Sequence, residues 1–179
     1  VRVAEAGFSL LEMLIALAVG AILMVSVGRF LPLLLEQNLR LQQRVQLQQE
    51  LQQLSHTLQK ALQRAGYCRG QCNGPALTLV AGGSCVLLRW DENSNGRWED
   101  VGSSDSDFYG YRLRSGQLEM QRAVDNCNSN GWERLTDPAF LTIEHFSVVR
   151  QGTRLMLHLT GRSGTQSLQV EHWIEGRNL

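Results

Sequence analysis

The sequence predicts an α+β fold in which a long N-terminal helix packs on a mostly antiparallel β-sheet domain. Three observations carry that expectation. Residues 8–28 form an almost wholly apolar run of 21 residues. Leu47, Leu51, Leu54, Leu58, Leu62 and Ala65 recur at three- and four-residue spacing, the period of one helix face. Beyond Gly66 the pattern changes to short segments of alternating apolar and polar residues punctuated by Gly, Asn and Pro, which is how strands and turns read.

At 1.5 Å per residue the apolar run spans roughly 30 Å, the thickness of a bilayer core. A core helix of that length normally shows a polar stripe, whereas here only Ser9, Glu12 and Ser26 interrupt it. An ordinary secretory signal places its cleavage site after a short apolar core. In this chain the small-residue junction Ala6-Gly7-Phe8 comes first, so cutting after Gly7 removes a leader, residues 1–7, and leaves the helix attached as an anchor. The leader's one basic residue, Arg2, is offset by Glu5, so charge adds little to a cytoplasmic orientation.

Glu12 is the informative residue of the run. An ionised carboxylate within hydrocarbon costs about 3 kcal/mol on insertion scales. Either Glu12 lies near the bilayer edge and snorkels or protonates, or it pairs with a positive charge on another subunit.

The string Gly7-Phe8-Ser9-Leu10-Leu11-Glu12 followed by an apolar run closely resembles the prepilin motif of type IV pilins and type II secretion pseudopilins. The resemblance implies cleavage by prepilin peptidase after Gly7, N-methylation of Phe8, and docking of Glu12 against the Phe8 amine of a neighbouring subunit. It also implies a pilin-like arrangement: residues 8–28 as the membrane part of the helix, 29–65 as its periplasmic part, and 66–179 as the globular domain.

Pro32 removes a backbone donor and crowds the preceding turn, so a kink or break is expected there, with the helix resuming afterwards. The leucine stripe that follows suits packing against the chain's own domain; a coiled coil with a partner would show oppositely charged flanking positions. Gly66 is placed to end the helix in a left-handed cap. Strands are then expected around Leu77 and Leu79; Val86, Leu88 and Trp90; Tyr109, Tyr111 and Leu113; Leu118 and Met120 after a Ser115-Gly116 turn; Leu141, Ile143 and Val148; Leu155, Leu157 and Leu159; and Leu168, Val170 and Ile174.

Three stretches, Leu62-Gln63-Arg64-Ala65-Gly66-Tyr67-Cys68, the segment from Trp90 through Asn93-Ser94-Asn95-Gly96 to Trp98, and Val148-Val149-Arg150-Gln151, together resemble the prepilin peptidase-dependent protein B family. Those minor pilin-like proteins are similar in turn to J-type minor pseudopilins. The resemblance implies a part in starting or capping a filament.

The remaining residues offer little chemistry. Lysine plus arginine equals aspartate plus glutamate at 17 each, so no charge excess points to nucleic acid. Cys68, Cys72, Cys85 and Cys127 lack paired zinc spacings and read as two disulfides in an oxidising compartment, with three pairings open. Asp91, Asn93, Asn95 and Gly96 copy the opening of a calcium loop, but the template's last position is Gly102, so Glu99 and Asp100 would have to substitute. The competing reading is a polar turn closed on its own backbone. His56, His145, His158 and His172 share no catalytic or metal spacing, and His172 has the parity of a half-buried strand residue. Trp90, Trp98, Trp132 and Trp173 are expected to pack in the core or in loops.

The sequence therefore predicts a non-enzymatic minor pilin or pseudopilin of the bacterial inner membrane, single-pass with its C-terminal domain in the periplasm, and then at a filament tip. Its expected partners are prepilin peptidase, other minor pilins or pseudopilins, the major pilin and inner-membrane lipid. No cofactor is required; calcium is the one candidate. The rival reading is a signal-anchored periplasmic calcium-dependent binding module or enzyme, for which the helix is only a tether and Glu12 has no purpose.

Overall fold

The fold was analysed in a computed structural model that describes residue 7 and residues 9–179. The expectations for the leader, residues 1–6, and for Phe8 lie outside the described residues. One helix, α1, runs Leu10–Arg64. By its contacts the chain forms two units, Val1–Gln42 and Gln43–Leu179.

Among the described residues of the first unit α1 is the only element, and there every side chain on it is exposed. Contrary to the expected break, the backbone stays helical through Pro32. Proline there removes one backbone donor and crowds the preceding turn, a local cost of about 3 kcal/mol that bends a helix without having to end it. Ser26 donates its hydroxyl to the Ile22 carbonyl at 2.8 Å, so it brings no unpaired donor into the apolar run.

The second unit holds the whole hydrophobic core. From Leu47 onward one face of α1 is buried: Leu47, Leu51, Leu54, Leu58, Ala61 and Leu62, with Ala65 just past its end. The leucine stripe thus packs against the chain's own domain. Gly66 adopts φ +85° and turns the chain out of the helix, its N–H donating to the Arg89 carbonyl at 2.8 Å. A Cβ at this position would collide with the Asn178 carbonyl.

Two antiparallel sheets follow. The first comprises β1 (Leu77–Val80), β2 (Cys85–Arg89), β3 (Phe108–Arg114), β4 (Gln117–Arg122) and β5 (Glu133–Arg134), in sequence order. The second comprises β6 (Thr142–Gln151), β7 (Arg154–Ser163) and β8 (Gln166–Glu175). Seven of these strands stand where alternation places them, although Trp90 and Leu141 fall just outside β2 and β6. β5 escapes sequence reading because its two residues are both exposed and charged. Ser115 and Gly116, at φ 50° and 74°, form the β3–β4 turn, as expected for a two-residue hairpin.

Both sheets contribute inward residues to one core around α1, among them Val86, Leu88, Tyr111 and Leu118 from the first and Phe146, Val148, Leu157 and Ile174 from the second. β7 comes so close to the helix that a Cβ on Gly161 would lie 2.7 Å from Leu51 Cδ2. Trp90 stacks flat on Tyr109 with ring centroids 3.6 Å apart, and Trp98 and Trp132 are half-buried. Trp173 departs from the expectation: it is 56% exposed, because on β8 it alternates with the inward residues His172 and Ile174 and so faces away from α1.

The cysteines pair as Cys68–Cys72 and Cys85–Cys127. The second bridge ties β2 to the loop after β4, a loop also held by Arg112. That side chain is buried, bonds Glu119 at 2.8 Å and donates to the Cys127 carbonyl, and its guanidinium lies 4.2 Å from the Trp132 ring centre.

Loop length sets different contributions for the two bridges. With sequence separations of 42 and 4 residues, the chain-entropy relation assigns about 4 kcal/mol to Cys85–Cys127 and about 2 kcal/mol to Cys68–Cys72. In denaturant titrations the double serine variant at 85 and 127 is expected to lose about twice as much stability as that at 68 and 72. Equal losses would show that closure of the longer loop is not what stabilises the domain.

Candidate functional site

Two regions emerged from the sequence as candidate sites, the start of α1 and the loop that begins at Asp91. The first is simple in its geometry. The Ser9 carbonyl accepts the Glu12 and Met13 N–H groups at 3.0 and 3.2 Å, so Ser9 stands at the cap and Glu12 lies in the first turn, where the helix dipole favours a negative charge. Around it Leu10, Leu11, Met13, Leu14 and Ile15 are 56–81% exposed. Among the described residues Glu12 has no ion pair and no side-chain hydrogen bond. The apolar stretch is long enough to cross a membrane, and none of it is buried inside the chain, which sets it apart from the core helix of a globular domain. Gly7 is exposed, and a Cβ built on it meets no atom within 4 Å.

The Asp91 loop closes largely on its own backbone. Asp91 is fully buried. Its Oδ1 accepts the Asn95 N–H at 3.0 Å, and its Oδ2 accepts those of Arg69 at 3.0 Å and Gly96 at 2.9 Å. Asn93 Oδ1 takes the Asn95 N–H, and Asn95 Oδ1 takes that of Arg97. The Asn95 amide donates to Glu99 Oε1 at 2.6 Å. Asp100, expected beside them, is exposed and accepts only the Val101 N–H. The structure therefore brings together Asp91, Asn93, Asn95 and Glu99 but not Asp100. It adds Asp107, which no sequence spacing marks: this fully buried side chain accepts the N–H groups of Glu92 and Glu99 at 3.1 and 3.2 Å.

Each oxygen of the supposed calcium ligands Asp91, Asn93 and Asn95 is thus occupied by a backbone donor. Among the described residues no group of three or more His, Cys, Asp and Glu side chains is placed to share a metal ion. The arrangement matches the polar turn that competed with the calcium reading.

Burial would raise the Asp91 carboxyl, but the backbone N–H groups of Arg69, Gly96, Asn95 and Ser94 outweigh it and hold it below its ordinary value. Glu99 is drawn down to about 2, first by the Asn95 amide and then by the carboxyl of Asp107. Asp107 moves up, chiefly through burial and also through its hydrogen bond with Glu99.

The histidines are spread over four elements, α1, β6, β7 and β8. His56 is exposed on α1 and His172 is half-buried. The antiparallel register does bring His145 and His158 together on the outer face of the second sheet, ring centroids 4.6 Å apart, a proximity hidden in the sequence until the β6–β7 pairing is known.

An uncovered apolar helix that opens on a capped turn with one carboxylate, and whose later half packs on an antiparallel-sheet domain, defines a type IV pilin-like subunit. Residues 2–28 match the prokaryotic N-terminal methylation motif. Residues 40–176 match the family described as prepilin peptidase-dependent protein B, and the chain belongs to that family. Prepilin peptidase-dependent protein B of Escherichia coli (strain K12) is 43% identical over 149 residues, which cover 83% of this chain and 80% of that protein. No solved structure matches the chain.

Replacing Asp91 by Ala leaves the N–H groups of Arg69 and Gly96 without their side-chain acceptor, while that of Asn95 keeps Asn93 Oδ1, and is expected to cost about 2 kcal/mol, read from denaturant titration. Melting curves in chelator and in millimolar calcium are expected to coincide, since a ligand of the native state would raise the midpoint; a rise with calcium would restore the loop as a metal site. Asp91 and Glu99 are both depressed, so their contribution is present above the ordinary carboxyl value and is lost as pH falls through each folded value, from 4.5 towards about 2 for Glu99. Asp107 is raised, so its contribution runs the other way, full in acid and lost as pH rises through its folded value. Glu99→Gln should flatten the acid limb of the stability profile.

Proposed function

We propose that this chain is a minor pilin or pseudopilin that helps start or cap a type IV pilus-like or type II secretion filament. In this reading prepilin peptidase cuts between Gly7 and Phe8 and the new Phe8 amine is methylated. Residues 8–28 then hold the subunit in the inner membrane with the domain from residue 66 on the periplasmic side. The protein acts by binding other minor subunits and the major pilin, not by catalysis.

The observation that carries the proposal is Glu12, alone in the first turn among exposed leucines. Anchoring needs only apolar length, so a carboxylate there lowers the quality of the anchor by about 3 kcal/mol. A positive charge from a neighbouring subunit offsets that cost, and the amine of a processed Phe8 supplies one. The family supports this reading, because the relative's printed name ties it to prepilin peptidase.

Replacing Glu12 by Ala is expected to leave insertion and leader removal intact while incorporation into filaments fails. The lost buried pair corresponds to about 3 to 5 kcal/mol, roughly a hundredfold or more in affinity. Co-purification with other pilin-like subunits from detergent-solubilised membranes measures it, and undiminished recovery of the variant would reduce Glu12 to a tolerated edge residue. Replacing Gly7 by a bulky residue should leave the leader on, visible in the intact mass; a chain beginning at Phe8 despite that change would count against processing at this bond.

A further inference from the structure

β8 is an edge of the second sheet: its neighbour on one side is β7, and among the described residues no backbone hydrogen bond reaches its other side. The edge is ten residues long and contains no proline, no lysine and no bulge; of the devices that blunt an edge it carries only the exposed charges of Glu171 and Glu175. Gly176 N–H donates to Thr153 across the β7–β8 pair at 2.8 Å. Alternation along the strand therefore turns the N–H groups of Gln169, Glu171, Trp173 and Glu175 towards the free edge. An open cleft lies beside this strand, between Arg44 and Gln48 of α1 and Leu168 to Glu171 of β8.

The outward row of β8 specifies what it pairs with. It reads Glu171, Trp173, Glu175 at alternate positions, all exposed, with Trp173 left 56% open. On the occupied side β7 sets His158, Met156 and Arg154 opposite these three in register, and Arg154 reaches Glu175 at 3.8 Å. The sheet thus shows one strand already accepted by this row: basic, apolar, basic. A second copy of β8 cannot supply that pattern, because its own outward row carries no basic residue and would leave both glutamates unmatched in any register.

We propose that the free edge of β8 takes an extended segment of a partner subunit as a fourth strand, one presenting basic, apolar and basic side chains opposite Glu171, Trp173 and Glu175. Backbone pairing supplies the affinity and the alternate side chains the selectivity. The proposal rests on the filament reading only in taking the partner to be another subunit.

The test uses the full chain in detergent micelles and a synthetic peptide copying Arg154 to Arg162, which carries the complementary pattern. Saturable amide shifts are expected at Gln169, Glu171, Trp173 and Glu175. A peptide with Glu in place of the Arg154 and His158 equivalents should bind about tenfold more weakly or worse. Gln169→Pro removes a free-edge donor without touching the β7 pairing and should abolish binding at an unchanged melting temperature. Glu171→Lys with Glu175→Lys, on the exposed face, should reverse the preference between the two peptides. Absence of saturable shifts at millimolar peptide, equal binding of both peptides, or full binding by the proline variant would overturn the proposal. Self-association that the proline variant dissolves would make the occupant a second copy, which also overturns it. Glu12→Ala should bind the peptide normally, so failure of filament incorporation and failure of this edge are read separately.

Discussion

The folded domain depends on one seam: the face of α1 from Leu47 to Ala65. Neither sheet closes a core alone. The five-stranded sheet is mostly short strands and the second sheet has three, and a sheet gains its stability from a hydrophobic face that something covers. The helix supplies that third surface to both. Leu47, Leu51, Leu58 and Leu62 are at most 2% exposed, and each buried leucine contributes about 1.5 to 3 kcal/mol. Gly161 follows from the same constraint, since any side chain there would displace Leu51 or Leu141.

The seam also explains how one helix carries two unlike sequences. Where it packs on sheets, apolar residues occupy one face and glutamines the rest. Before Gln43 no sheet is offered, and leucine occurs around the whole circumference with every side chain exposed. Such a surface is stable in lipid or among other apolar helices and costly in water. Glu12 is conspicuous against it for the same reason.

Much of this was legible in the sequence because it depends on local periodicity. The apolar run, the leucine stripe, the Gly66 cap and seven strands each announce themselves within a few residues. What escaped depends on register or on distant partners. β5 has no alternation, and Trp173 shows the parity of its outward neighbours but not that the face is uncovered. The loop residues Asp91, Asn93, Asn95 and Glu99 were recognisable as a cluster of oxygens. The contacts that Arg69 and Asp107 bring to the loop come from outside it and carry no mark in the local sequence. His145 and His158 meet only through the β6–β7 pairing, which shifts register between Ile143 and His145. At Pro32 the local penalty was visible, and of the expected kink or break the break does not occur.

The continuity of α1 into the leucine seam has a mechanical consequence. In the proposed filament role, a load applied along α1 would reach the domain as shear across Leu47, Leu51, Leu54, Leu58 and Leu62 together. Contacts loaded in parallel share the force, whereas strands peeled from a sheet edge give way one pair at a time. The seam that folds the domain is therefore also where a load carried by α1 enters it.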